Sequence, residues 1–179
     1  WTNLTEQLTL TESQTGLGLA IPDNNVTGVS VDFDISNTNL ILEHVQVTVD
    51  ISHTYRGDLD ITLTSPNGTE SVLAEQHDDG NADYPGWTFM TGRNWKEEVA
   101  GTWTLKFVDT WDEDTGTVND VTLKFYGSAS NCPPVFSPLS DQTIIIGNSL
   151  QFDVEAADIN NDMITLSMES GPPWVSFDT

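Results

Sequence analysis

The chain has 179 residues, 37% of them apolar, enough to fill the core of one sizeable domain with a smaller second unit. Asp and Glu total 28 against 5 Lys and Arg, a formal net charge of −23, so nucleic-acid phosphates and anionic bilayers are repelled and excluded as expected partners. Seven Phe, six Trp and three Tyr exclude a disordered acidic tail.

In chain order, the orderly apolar residues alternate with period two. Val29, Val31, Phe33 and Ile35 share one face of a predicted strand, with Ser30, Asp32 and Asp34 on the other. The same pattern returns at Val45 to Ile51, Leu59 to Leu63, Trp103 to Phe107 and Val121 to Phe125. Ser65-Pro66-Asn67-Gly68 is a hairpin signal, and Gly101, Gly116 and Gly127 punctuate the later strands. Helical periodicity is confined to one turn near Asn94 to Val99. Short strands with such turns predict an all-β fold, a jelly-roll sandwich of two antiparallel sheets over residues 1–127.

A linker is expected over 128–134, where small residues and two prolines gather, and everything beyond it lacks Lys and Arg. Apolar runs at Ile144 to Ile146, Leu150 to Ala156 and Ile164 to Met168 predict a second, truncated β-sandwich over 135–179. Cys132 is the single cysteine, so its expected partner lies outside this sequence.

Ordered motifs then carry a resemblance. Ile21-Pro22-Asp23-Asn24, the string His53-Thr54-Tyr55-Arg56-Gly57-Asp58-Leu59, Leu63-Thr64-Ser65-Pro66-Asn67-Gly68-Thr69, Gly101-Thr102-Trp103-Thr104-Leu105 and Asp114-Thr115-Gly116-Thr117 resemble the P domain of the proprotein convertase and kexin group. The resemblance covers roughly Thr15 to Gly127. It implies a jelly-roll module beside a catalytic protease domain, subtilisin-like or less often metallo, which it stabilises or orients without hydrolysing a bond itself. Pro134-Val135-Phe136, Asp141-Gln142-Thr143, Gly147-Asn148-Ser149-Leu150, Phe152-Asp153-Val154 and Gly171-Pro172-Pro173-Trp174-Val175 resemble the opening of immunoglobulin-like and cadherin-like repeats. Asp158, Asn160 and Asp162 are similar to the calcium-binding string of the latter.

Calcium is the chemistry best supported by the residues. Asp109, Asp112 and Asp114 follow one strand within six positions, where loop carboxylates can converge on a hard cation that wants several oxygens. Asp78, Asp79 and Asp83 form a second cluster, and Asp58 with Asp60 a third; the resemblance points to Asp58, Asp60, Asp109, Asp112 and Asp114 as Ca2+ ligands. The competing reading of these aspartates is a solvated surface adapted to high salt. There is no His-Glu-x-x-His and no Gly-x-Ser-x-Gly, so no catalytic residue is assigned. His53 reads as an imidazole held by polar neighbours where one strand turns into the next. Arg56-Gly57-Asp58 matches an adhesion tripeptide, but the longer string accounts for it; Gly57 is expected to allow a tight turn and Arg56 to pair with a carboxylate.

Trp103 belongs to a core face and Trp87 shares parity with Phe89, which leaves Trp95 and Trp111 as free tryptophans. Arg93, Trp95 and Lys96, with Trp111, are the expected partner-facing surface. The resulting expectation is a secreted, calcium-binding accessory module of an endopeptidase, in composition fitting a marine or halophilic bacterium. A tether for protein or polysaccharide substrate, or a spacer in a surface protein, is the alternative.

Overall fold

In the computed structural model, which describes residues 7–36, 39–129, 133–158 and 162–177, the period-two segments become strands that bury one face. Cys132 and Asn160 lie outside the described residues. The chain divides into two compact units, Trp1–Ala129 and Ser130–Thr179. In the first, β1 (Leu8–Gln14), β2 (Leu19–Ile21), β3 (Val29–Ile35) and β4 (Leu40–His53) lead to a single 3-10 turn, Arg56–Asp58. There follow β5 (Leu59–Thr64), β6 (Glu70–Ala74), β7 (Tyr84–Thr91), β8 (Gly101–Asp109) and β9 (Gly116–Ala129).

Two antiparallel sheets result. One runs β1-β9-β4-β7, with β2 also on β9; the other runs β3-β8-β5-β6. From β2 to β4, and again from β6 to β9, successive strands alternate between the sheets. That interleaving is the jelly-roll arrangement. The inner faces supply a core in which Val45, Val47 and Val49 of β4, Leu123 and Phe125 of β9, and Trp103, Leu105 and Phe107 of β8 are fully buried.

Strand β4 is longer than its period-two run because the register against β9 shifts between Leu42 and His44. The extra residue moves the buried parity from Leu40 and Leu42 to Val45, Val47, Val49 and Ile51. A second shift, between Asp50 and Ile51, leaves Asn119 of β9 out of the ladder, and its amide donates to Asp50 Oδ1 and Ser52 Oγ at 3.0 Å each. Gly127 lies inside β9 and does not end it: a Cβ there would collide with the Ile41 carbonyl on the neighbouring strand. The Ser65–Gly68 turn forms as expected, with Gly68 N–H on the Ser65 carbonyl at 2.9 Å. Residues 93–96 form a hydrogen-bonded turn, not a helix.

The second unit departs from its pattern. Of the strands expected there, only β11 (Ala156–Ala157) forms among the described residues, paired with β10 (Val135–Phe136). Ile145, Ile146 and Met163 are largely exposed. Alternation makes a buried face only where a second layer covers it, and the described residues of this unit supply none.

Candidate functional site

The site is built at one end of the sandwich, where β4 and β8 stop. Odd-numbered residues face inward along the last part of β4 and along β8, which carries His53 and Asp109 into the core, each almost wholly buried. His53 comes from one sheet and Asp109 from the other. His53 Nε2 stands 3.2 Å from Asp109 Oδ2, while Nδ1 accepts the Tyr55 N–H at 3.2 Å. The hydrogen-bond network therefore assigns the proton to Nε2. Asp109 Oδ1 accepts the Trp111 N–H at 3.1 Å, and Asp83 Oδ1 accepts the His53 N–H at 2.8 Å. The pair clasps the two sheets together and fixes the start of both loops beyond it.

The Arg56–Asp58 turn packs beside this clasp. Gly57 is required by space and not by an unusual φ, because a Cβ would strike the His77 carbonyl. Gly57 and Asp58 are buried, so the Arg-Gly-Asp string is not displayed. The Asp58 carbonyl accepts the Thr110 N–H at 3.0 Å and its hydroxyl at 2.8 Å, holding the loop after β8 against the turn. Burial, followed by the negative charges of Asp114 and Asp109, pushes the Asp58 carboxyl above its ordinary range. Asp114 in turn accepts the Thr54 hydroxyl at 2.5 Å. These groups border a cleft of about 530 Å³ whose walls bring Asp58, Asp78, Asp112, Glu113 and Asp114 together with Tyr55 and Trp111.

The remaining sequence candidates fall elsewhere or are otherwise engaged. Asp60 points away from Asp58 along β5 and accepts the Gln76 N–H at 2.7 Å. Asp79 pairs with Arg56 at 2.8 Å and accepts from Asn81; Asp78 accepts the Tyr55 hydroxyl at 3.2 Å; Asp112 accepts from the Asn24 amide. Among the described residues no three His, Cys, Asp or Glu side chains are grouped closely enough to form a metal cage. In the second unit, Asp158 accepts the Asp162 N–H at 3.2 Å.

The backbone N–H of Asn81, then Arg56 and the Asn81 amide, hold the Asp79 carboxyl down at about 2. Its folded value lies below the ordinary 3.8, so its contribution is present above pH 3.8 and is lost as pH falls toward 2. Urea unfolding should accordingly find Asp79→Asn less stable than the parent protein at pH 6, with the gap closing near pH 2.

The turn after β7 is pinned from beneath. Asn94 is buried and accepts from Ser71 Oγ at 3.3 Å; Glu97 accepts the Thr69 hydroxyl at 2.5 Å. Burial opposes ionisation of Glu97, but hydrogen bonds from Thr69, Ser65, Asn94 and Asn67 outweigh it and hold the carboxyl below its ordinary range. Arg93, Trp95 and Lys96 are left exposed on this fixed turn, as is Trp111 at the distant cleft, with Trp95 and Trp111 each 61% exposed. His53 is held by polar neighbours at the end of its strand, as expected, but its pairing with Asp109 and the Asn94–Glu97 anchor were not foreseen, although the parity of their strands carries His53 and Asp109 inward.

Fold and motif define a class. Residues 42–125 match the model of the proprotein convertase P-domain. Neuroendocrine convertase 2 of Sus scrofa is 40% identical over 108 residues, covering 58% of this chain and 16% of that protein. Furin of Mus musculus is 43% identical over 91 residues, 49% of this chain and 12% of its own length. The chain thus spans under a fifth of the curated relatives it matches. A serine protease of Aeromonas sobria shares the fold at a TM-score of 0.58 and 24% identity, over 69% of this chain and 28% of that one.

Proposed function

We propose that the chain is the calcium-binding, non-catalytic accessory module of a secreted endopeptidase of the subtilisin-like serine class, stabilising or orienting an adjacent catalytic domain. The observation that carries the calcium reading is the gathering of Asp58, Asp112, Glu113 and Asp114 around one cleft, where the nearby Arg56 is already taken by Asp79. Carboxylates held so close are relieved by a shared cation, and Ca2+ accepts carboxylate, hydroxyl and backbone carbonyl oxygens together. Asp58 and Asp114 would hold the ion, with the Thr54 hydroxyl and loop carbonyls completing its oxygens; Asp78 and Asp112 in the cleft walls would add field. Bound Ca2+ would supply charge neutralisation and a rigid loop junction, with no bond-breaking role.

The reading rests for its partner on the convertase match and on the protease fold likeness. The second unit is taken, on its sequence motifs, as the opening of an immunoglobulin-like repeat.

Binding to the folded state alone adds about 2.7 kcal/mol at a free ion concentration one hundred times the dissociation constant. At fixed ionic strength, millimolar Ca2+ should therefore raise the thermal midpoint by roughly 5–10 °C over chelator. Asp58→Asn combined with Asp114→Asn should abolish the rise; a rise that survives both substitutions, or none in the parent protein, defeats the calcium reading. Deletion of the module from a parent protease should shorten its thermal lifetime on a small soluble substrate. Loss on insoluble polymer alone would favour a tether.

A further inference from the structure

Strand β7 ends its sheet, and no described strand pairs with its second edge. The other long sheet edges carry carboxylates, Glu12 on β1, Asp32 and Asp34 on β3 and Glu70 on β6, while the uncharged β2 edge is only three residues long. Charges of that kind discourage pairing with another chain. Strand β7, Tyr-Pro-Gly-Trp-Thr-Phe-Met-Thr, has no charged residue. Pro85 and Gly86, with φ of 63°, confine a regular ladder to Trp87–Thr91.

The inward face of that segment is covered only in part, by the Arg56 guanidinium, which lies 5.6 Å over the Tyr84 ring and 5.3 Å over the Trp87 ring. Trp87 and Phe89 lie opposite Val49 and Val47 and so face the core side of their sheet, yet they overhang β6, the edge of the facing sheet. A recess of about 300 Å³ remains there between Leu73 and Ala74 on one side and Tyr84, Trp87 and Phe89 on the other, with Arg56, Glu75, His77 and Asp79 forming its polar end. Trp87 is 45% exposed. An unpaired ladder beside a recess that takes alternate side chains is the arrangement by which sheets accept an extended peptide.

Charge gives the occupant a polarity. At the C-terminal end of β7 stand the exposed Arg93 and Lys96, which form no ion pair among the described residues, whereas Arg56 at the other end is neutralised by Asp79 at 2.8 Å. Every pairing in this sheet is antiparallel, so an added strand enters at Arg93 with its N-terminal residues. We infer that the β7 edge binds an extended polypeptide segment of a partner protein, antiparallel to Trp87–Thr91, with acidic residues at its N-terminal end and apolar side chains at alternate positions seated in the Trp87–Phe89 recess. This goes beyond the calcium reading and does not depend on it.

The test uses the full isotope-labelled chain and the peptide acetyl-Asp-Asp-Val-Thr-Leu-Thr-Val-Ser-amide. At saturation, amide exchange of residues 87–91 should slow by about tenfold or more, while amides on the β3 and β1 edges are unaffected. Replacing the leading Asp-Asp with Lys-Lys, or Arg93→Glu in the protein, should each weaken binding by about tenfold. Because the peptide change leaves the protein intact, misfolding of the variant cannot imitate the result. No protection of 87–91 at millimolar peptide overturns the inference. So does protection that appears without peptide and rises with protein concentration, which marks a second copy, or a response at Trp87 to cellohexaose and not to peptide.

Discussion

Trp103→Ala is expected to lower the stability of the first unit by about 3–5 kcal/mol, the range for removing a large aromatic side chain from a core. Unfolding midpoints should fall by roughly 10 °C at the sensitivity of a domain of this size. Trp103 is fully buried on the inner face of β8, its ring centroid 5.1 Å from that of Phe125 on the opposing sheet. Strand β8 is paired on both sides, by β3 and β5, so neighbouring backbone cannot collapse into the space. The indole also donates to the Val99 carbonyl at 2.8 Å, tying the chain that enters β8 to its own first turn. Trp103→Phe retains most of the apolar volume and loses that hydrogen bond, for which about 1–2 kcal/mol is expected. Chemical denaturation of the two variants separates packing from hydrogen bonding; a loss below about 1 kcal/mol for Ala would mean that the core refills.

Trp103 was legible in the sequence because β8 keeps strict alternation. So were β3, β5 and the Ser65–Gly68 turn, whose periodicity and turn residues are local properties. Leu40 and Leu42 were not, since the bulge near Glu43 reverses parity within one continuous strand and a period-two reading stops where the parity breaks. Gly57 does stand in a tight turn, as expected, but the reason glycine is needed there, like the place of Gly127 inside β9, was not legible: the atoms that exclude a Cβ, the His77 and Ile41 carbonyls, belong to other segments and are invisible to local pattern. In the candidate site the aspartates were visible as residue types, but spacing alone did not separate Asp58, turned inward by the 3-10 turn, from Asp60, turned outward along β5. Extending the inward parity of β4 and β8 by one step would have reached His53 and Asp109. The second unit shows the converse, a pattern of alternation without a covering layer.

The larger site effect is expected from Asp109→Ala. It leaves a buried donor, His53 Nε2–H, without its acceptor at a cost of about 1–3 kcal/mol, and takes the acceptor from the part-buried Trp111 N–H as well. Because these two donors belong to the end of β4 and to the loop after β8, the loss falls on the junction of the two sheets. His53→Ala removes one of the donors along with its ring, so Asp109→Ala with His53→Ala should cost less than the sum of the single changes, by about 1–2 kcal/mol. Strict additivity would show that the clasp is only a contact between independently held groups. The same variants bear on the loop chemistry, since Asp109 is one of the charges that raise the Asp58 carboxyl. Removing it should bring that carboxyl down toward the ordinary range, measurable by carboxyl chemical shift against pH. It should also weaken any Ca2+ stabilisation without abolishing it, because Asp58 and Asp114 remain. Complete loss of the calcium response in Asp109→Ala, with the fold intact, would instead make Asp109 itself a ligand.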